Sequence, residues 1–195
     1  MAHVQAHRSP LLIIATIFSW ILEPVVLLPI SFIAAAYRAG VSVHIAVVWM
    51  IGIAMPTFLY RIWAKQSRGL DWDMKHRSDR VKPVGYFIVY LLCVAGVVAV
   101  YESRLLPVVV LYVVWTIGFF LITSTWTKIS GHVGGDTLAI GSIIMSLGIH
   151  MWPLLIALPI VAWARVVRKD HTFFQVVLGA VYSWCILMAY SSFIR

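Results

Sequence analysis

Long apolar runs separated by short polar segments are the feature that most constrains how this chain folds. A helix of about 20 apolar residues crosses the hydrocarbon core of a bilayer, which is roughly 30 Å thick. Only 11% of the 195 residues are charged, against roughly 25% in soluble domains. The sequence therefore predicts an all-α, polytopic transmembrane helix bundle of six to seven spans, and not a soluble domain with a large core.

The predicted spans fill a single transmembrane domain, residues 1–195. Residues 11–63 form its N-terminal spans, and residues 64–195 carry the motifs described below. Glu23 interrupts the first span, which predicts a kinked helix whose acid is paired or protonated, with a direct functional role as the alternative. Asp136 is predicted to cap the fifth span. The seven segments cover residues 11–36, 41–63, 84–101, 106–126, 137–152, 153–167 and 172–193.

The Lys and Arg residues are unequally divided between the two predicted membrane faces. The polar segments after spans two, four and six lie on one face, and that face has most of the positive charge. The positive-inside rule predicts that it is cytoplasmic, in a multi-pass protein of the cell membrane, although cations retained to bind phosphate would produce the same excess. The cations of the richer face are Arg8, Arg61, Lys65, Arg68, Lys75, Arg77, Arg80, Lys82, Lys128, Arg165, Arg168 and Lys169, and those of the other face are Arg38, Arg104 and Arg195.

A charged cluster lies near the end of the chain, between two apolar runs. Residues 164–179 contain three cations, one acid and a histidine. We infer that a membrane chain keeps such a cluster at its water boundary because it has a use for it. We interpret Arg165 as an anion clamp and His171 as a nucleophile.

Two other polar segments are predicted at the same membrane level. Residues 64–83 hold six cations and three acids, and a Ser-Gly-His sequence at residues 130–132 follows the fourth span. Two histidines with several cations suit phosphoryl transfer, in which charge develops on phosphoryl oxygens and the leaving alkoxide needs a proton. No pattern of metal ligands, nucleophilic cysteine or nucleic-acid binding accompanies them, so no metal, cofactor or nucleic-acid partner is predicted.

In this order the segments resemble the motifs of the type 2 phosphatidic acid phosphatase superfamily, a family of integral membrane lipid phosphatases. The family motifs are Lys-x6-Arg-Pro, Pro-Ser-Gly-His and Ser-Arg-x5-His-x3-Asp. The first corresponds here to Lys75-x6-Lys82-Pro83, the second to Ile129-Ser130-Gly131-His132, and the third to Ala164-Arg165-x5-His171-x3-Gln175. The resemblance covers roughly residues 70–183, and the Arg-x5-His spacing is its most specific part.

The resemblance implies a six-helix phosphatase core and metal-free hydrolysis of a lipid phosphate monoester or diphosphate. The resemblance also implies that His171 attacks phosphorus to give a phosphohistidine, while His132 protonates the leaving alcohol and then activates water. The chain has Gln175 where the family has an aspartate. Positions 171 and 175 share a helix face, so the Gln175 amide oxygen is expected to accept the imidazole N–H, as a weaker, neutral partner.

The phosphoryl group is expected, by the same resemblance, to lie among cations and donors from three segments. Lys82 replaces the arginine of the first motif, so Arg77 or Arg80 is a candidate for its place. The expected phosphate-binding residues are Lys75, Arg77, Arg80, Lys82, Ser130, Gly131 and Arg165.

Two other functions stay open. The departures at Lys82 and Gln175 suit a relative with altered chemistry, either a phosphotransferase or a non-catalytic phospholipid-binding membrane protein. The intramembrane Glu23 suits a small transporter, although no inverted repeat accompanies it. Phosphatidate, a glycerophosphate-type lipid and a polyprenyl phosphate all remain possible substrates, and the oligomeric state is open.

Overall fold

The protein is an all-helical bundle in the residues that its computed structural model describes. These are residues 9–68 and 77–193, without the side chains of residues 61, 68 and 77–80, and they contain no strand. The all-α class that the sequence predicts is confirmed. Two short 3-10 helices, Ser103–Leu105 and Ile149–Ile156, precede α5 and α7. The α-helices described are α1 (Pro10–Ile21), α2 (Pro24–Arg38), α3 (Val43–Arg68), α4 (Arg77–Tyr101), α5 (Leu106–Thr125), α6 (Gly131–Leu147), α7 (Ala157–Val167) and α8 (Phe173–Phe193).

Six segments of the described chain are long and apolar enough to cross a membrane. Large apolar side chains on their outer faces, such as Val48, Val100 and Phe174, are exposed, which is the surface that a lipid environment requires. The pattern is that of a multi-pass membrane protein. The six segments are Pro10–Arg38, Val43–Ser67, Val81–Tyr101, Ser103–Thr125, Ile149–Val167 and Phe173–Phe193.

Helix α6 is the centre of the bundle. It has 17 residues, and every residue from His132 to Ile143 is buried, mainly between α2 and α8. Its glycines allow the close approach, because a Cβ on Gly134 would lie 3.2 Å from the Gly179 carbonyl oxygen, and one on Gly135 only 2.8 Å from Pro24. Small residues at crossing points are the usual means by which membrane helices pack tightly.

Several predicted helix boundaries are wrong: α3 ends at Arg68 and not at residue 63, and α6 ends at Leu147 and not at residue 152. Helix α6 begins at Gly131 and not after Asp136, because the Ser130 side chain accepts a hydrogen bond from the Val133 N–H and caps the helix. Asp136 therefore lies inside α6. Helix α4 begins at Arg77 and not at residue 84, so Pro83 lies within this helix. Hydropathy marks where a helix enters the hydrocarbon and misses the polar turns by which α4 and α6 extend beyond it.

Contacts at the ends of the helices show which connections lie together. At one end, Arg104 donates to the Gly40 carbonyl oxygen over 3.0 Å, and Arg38 donates to the Met145 carbonyl oxygen. At the other end, the Lys128 ammonium donates to the Asp170 carbonyl oxygen over 3.0 Å. The connections after α5 and α7 therefore meet, as the sequence predicts, while residues 69–76 of the third connection lie outside the described residues.

The crossing of α6 and α8 yields a stability prediction. A Cβ on Gly179 would lie 2.8 Å from the Ser130 carbonyl oxygen, a backbone atom that cannot move alone, so we expect Gly179→Ala to lower the free energy of unfolding by roughly 1–3 kcal/mol. Gly96→Ala in α4 is the matched control, because no atom lies within 4 Å of its Cβ. Thermal unfolding in detergent measures both variants, and equal midpoints for the two would contradict this packing.

Candidate active site

The turn after α7 is built by a C-terminal capping motif. Arg168 ends the helix, Lys169 donates its N–H to the Val166 carbonyl oxygen over 2.9 Å, and the Asp170 N–H reaches back to the Arg165 carbonyl oxygen over 3.1 Å. These are the two bonds of a Schellman motif, in which glycine usually occupies the left-handed position. Here that position is Lys169, with φ at 59°. The turn therefore holds a strained residue beside the predicted site.

This turn brings Asp170 back onto the arginine predicted as the anion clamp. Arg165 is only 1% exposed, and its Nη2 lies 3.3 Å from Asp170 Oδ2. The same carboxylate oxygen accepts a 2.8 Å hydrogen bond from Arg168 Nε. A buried guanidinium requires such partners, because removing either member of a buried pair leaves an uncompensated charge.

Two further groups contact the Arg165 guanidinium from other helices. Its Nη1 donates to the Ser19 hydroxyl of α1 over 2.9 Å and lies 3.4 Å from His132 Nε2 of α6. Because a guanidinium only donates, the Nε2 that faces it has to present its lone pair. Arg165 thus joins α1, α6 and the turn after α7 at one point.

The predicted contact between His171 and Gln175 is present. Gln175 Oε1 lies 3.2 Å from His171 Nδ1 and also accepts a 3.2 Å hydrogen bond from the Thr172 N–H. The Gln175 N–H in turn donates to the Thr172 hydroxyl, which completes a capping box at the start of α8. Since the Thr172 N–H needs an acceptor, the atom facing Nδ1 is the amide oxygen, and a neutral His171 has its hydrogen on Nδ1 and its lone pair on Nε2.

The second motif lies directly against this capping box. The Ser130 N–H donates to the Gln175 carbonyl oxygen over 3.1 Å, so the start of α6 is fixed to the first turn of α8. The Ser130 hydroxyl accepts the Val133 N–H and keeps its own hydrogen for donation. Gly131 is the first residue of α6, where backbone N–H groups and the helix dipole favour an anion.

Two further carboxyl groups are buried in this part of the bundle. Glu23 lies at the break between α1 and α2, as the predicted kink requires, and is 4% exposed. Asp136 is fully buried in α6, one turn after His132, and lies within electrostatic range of both Glu23 and Arg165. Across the described ranges, no three His, Cys, Asp or Glu residues form a group that could hold a metal ion.

The first motif is only partly within the described residues. Lys75 lies outside them, and the side chains of Arg77 and Arg80, at the start of α4, do too. Lys82 is exposed in the second turn of α4. The structure therefore brings together the residues predicted from the second and third motifs and leaves the cations of the first motif as a prediction.

A cavity of about 430 Å³ opens beside His132. It lies among helices α2 to α6, and its lining is predominantly apolar and aromatic. Pro83 lines it together with Gly131, so α4, which begins within the first motif, faces the same space as the second motif. The walls include Leu28, Phe32, Ile53, Phe87, Trp115 and Phe119.

Sequence reasoning missed two residues of the site. Ser19 is a lone hydroxyl in an apolar run, and nothing local distinguishes it from a helix-facing serine. Thr172 was recoverable, because Thr-x-x-Gln before an apolar run is a capping-box pattern. Comparisons of the chain with protein-family models, with curated proteins and with solved structures found no match.

The strained turn predicts that glycine at position 169 is more stabilising than alanine, the reverse of their usual order in a helix. Lys169→Gly and Lys169→Ala remove the same charge and differ only in the Cβ, which the left-handed conformation disfavours by about 1–2 kcal/mol. We expect the glycine variant to unfold at the higher temperature in detergent. In a helix interior alanine is the more stable of the two, so an alanine variant equal to or above the glycine variant would contradict the observed turn.

Proposed function

We propose that the protein is a lipid phosphatase of the type 2 phosphatidic acid phosphatase kind, which hydrolyses a phosphate monoester or diphosphate through a phosphohistidine. The observation that carries the proposal is that Arg165 contacts both histidines. Its Nη1 lies 3.4 Å from His132 Nε2 and its carbonyl oxygen accepts from the His171 N–H, although 39 positions separate the two histidines. A nucleophile, a proton-transferring group and an anion-binding cation are the minimum set for this reaction.

In the first step the lone pair on His171 Nε2 attacks phosphorus. A bond forms between nitrogen and phosphorus, and the bond between phosphorus and the lipid oxygen breaks. The leaving alkoxide takes a proton from His132 and departs as the alcohol. Gln175 fixes the tautomer that places the lone pair on Nε2, and Arg165, the Ser130 hydroxyl and the first N–H groups of α6 bind the phosphoryl oxygens.

In the second step water attacks the phosphohistidine. His132 takes a proton from the water, the bond between nitrogen and phosphorus breaks, and inorganic phosphate leaves. His132 Nε2 lies 3.4 Å from Arg165 Nη1, so the histidine adjoins the cation that binds the phosphoryl oxygens. No metal takes part in either step, since the cations of the chain neutralise the phosphoryl charge.

The cavity beside His132 supports an amphiphilic substrate. Its volume of about 430 Å³ lies within the range of roughly 300–1,000 Å³ typical of sites for small organic molecules. Its apolar lining suits a hydrocarbon tail, and His132 borders it where a phosphate attached to that tail would be.

The excess of cations at this end of the bundle supports a cytoplasmic site. A reporter fused after Arg195 tests this orientation, because a cytoplasmic site requires the reporter to lie outside the cell.

The proposal predicts activity without divalent metal. Purified protein in detergent should release phosphate from phosphatidate or polyprenyl phosphate in the presence of EDTA, and His171→Ala should reduce the rate by at least about 10³-fold. His150→Ala is the matched control, because His150 lies at the opposite end of α6, beyond its last turn. A requirement for added metal, or full activity in His171→Ala, would refute the mechanism.

Two substitutions at Gln175 give a second test, because one removes its hydrogen bonds and the other adds a negative charge. Gln175→Leu removes an acceptor that contributes about 1–1.5 kcal/mol, so we expect kcat to fall roughly tenfold. Gln175→Glu keeps the capping box and adds a negative charge, so we expect kcat to stay or rise and KM to rise, because the charge also repels phosphate. Inactivation by Gln175→Glu would contradict the orienting role.

The acidic surroundings of Arg165 favour one alternative function. Asp170 pairs with Arg165, and Asp136 lies within its electrostatic range, so the cation does not face a phosphate alone. Clustered acids and an arginine inside a membrane bundle also occur in transporters that move protons. A purified protein that releases no phosphate from any lipid phosphate, and that moves protons across a proteoliposome membrane, would establish this alternative.

A further inference from the structure

The cavity beside His132 runs along the helices, from the candidate site into the bundle. Its lining extends from His132 to Leu138 on α6 and from Pro24 to Phe32 on α2. At a rise of about 1.5 Å per residue, these two stretches are roughly 9–12 Å long. The cavity is therefore an elongated space that has the candidate site at one end.

Prolines in three helices provide for this space. Pro29 in α2, Pro56 in α3 and Pro83 in α4 each lie inside a helix and line the cavity. A proline inside a helix removes one backbone hydrogen bond and crowds the preceding turn, which bends the helix. Pro56 deprives the Gly52 carbonyl oxygen of its helical donor, and the Tyr90 hydroxyl of α4 donates to this oxygen instead. This bond joins α3 to α4 in the wall of the cavity.

Buried side chains close the end of the cavity away from the site. The ring centroids of Phe32 and Tyr112 lie 6.4 Å apart, and both residues are buried. The Tyr112 hydroxyl lies 2.6 Å from Ser31 Oγ and donates to the Leu28 carbonyl oxygen over 3.0 Å, which fixes the ring. Leu138, also fully buried, lines the cavity beside them. These three residues, Phe32, Tyr112 and Leu138, form the floor of the cavity, and they belong to the packed core of the bundle.

The length of the cavity sets the length of a chain that fits inside it. An extended hydrocarbon chain advances about 1.25 Å per bond, because a carbon–carbon bond is about 1.5 Å long and its torsions are staggered. A space of roughly 9–12 Å then takes a chain of about seven to ten carbons. The predominantly apolar walls suit such a chain, and the fixed floor opposes a longer one.

We propose that this cavity measures the hydrocarbon chain of the substrate, with His132 at its mouth and the floor as its limit. The inference rests on the proposed function, which requires the phosphate at the mouth. A chain that ends within about ten carbons of the phosphate lies inside the cavity, whereas a longer chain meets the floor. The preferred substrate class is therefore the phosphate of a medium-length chain.

The kinetic test uses n-alkyl phosphates of graded length, from butyl to hexadecyl, in one detergent. Referred to the free substrate, kcat/KM should rise up to about fourfold per added methylene, the gain expected from burying each one. We expect this rise to end at about ten carbons and the value to fall for longer chains. A rise that continues to hexadecyl phosphate would overturn the measuring role.

Two substitutions should move the preferred length in opposite directions. Leu138→Ala removes three carbons from the floor, so we expect the ratio of kcat/KM for dodecyl to that for octyl phosphate to rise at least about tenfold. Ala54→Phe fills the space from α3, so hexyl should become better than decyl phosphate. Micelles take up the substrate equally for every variant, so these changes report on the cavity. Ala54 is only partly buried, so its variant is informative even where Leu138→Ala fails to fold.

Leu187→Ala is the matched control for the loss of a buried leucine. Leu187 is fully buried and packs beside Gly141 of α6, outside the described lining of the cavity. We expect this variant to keep the chain preference of the wild type. An unchanged preference in both cavity variants, or the same shift in Leu187→Ala as in Leu138→Ala, would overturn the proposal.

A binding experiment tests the cavity apart from hydrolysis. An alkylphosphonate has a carbon–phosphorus bond in place of the ester, and a bromine on its chain quenches the fluorescence of an indole that it touches. Because Trp115 lines the cavity, decylphosphonate brominated at mid-chain should quench the wild type more than Trp115→Phe. Hexadecylphosphonate brominated at the same carbon should quench the two proteins equally, and an excess with this probe too would contradict the length limit.

The two experiments separate this inference from the proposed function. If the decyl probe quenches Trp115 selectively but no alkyl phosphate is hydrolysed, the proposed phosphatase fails and the chain-measuring cavity stands. If alkyl phosphates of all lengths are hydrolysed alike and Trp115 is not quenched selectively, the phosphatase stands and the chain-measuring cavity is refuted.

Discussion

The burial of one guanidinium determines how the candidate site is arranged. Arg165 is 1% exposed inside a bundle that otherwise presents apolar side chains to lipid, and an unpaired charge there would cost several kcal/mol. Its partners Ser19, His132 and Asp170 come from α1, α6 and the turn after α7. Satisfying this single charge therefore fixes three parts of the chain relative to one another, and the two candidate catalytic histidines lie on two of them.

The close packing of α6 makes that arrangement possible. Helices without a hydrophobic driving force between them associate through small residues, and α6 places Gly134 against α8 and Gly135 against α2. The same contact brings the Ser130 N–H to the Gln175 carbonyl oxygen. The geometry of the site is thus a consequence of helix packing, and a methyl group added at the crossing would move the second motif relative to the third.

Hydropathy and spacing account for much of what the sequence predicted. Apolar runs located the spanning segments. The contact of His171 with Gln175 is present, but His171 precedes α8, so the capping box of Thr172 and Gln175 makes the contact and not a shared helix face. The error at the start of α6 came from competition between caps: Asp136 and Ser130 are both good N-cap residues, and only tertiary contacts decide that Ser130 starts α6. Ser19 could not be predicted, since its role depends on an arginine 146 positions away.

The neutral acceptor at position 175 lies in a part of the bundle that already contains several acids. Asp170 pairs with Arg165 and Asp136 lies within its electrostatic range. In the proposed reaction, one more carboxylate beside His171 would raise the nucleophilicity of the imidazole and would also repel the phosphate. An amide oxygen fixes the imidazole tautomer without that repulsion, and the Thr172 N–H fixes the amide in turn. Gln175 therefore suits the proposed reaction, because it orients the histidine without adding charge near carboxyl groups that are already buried there.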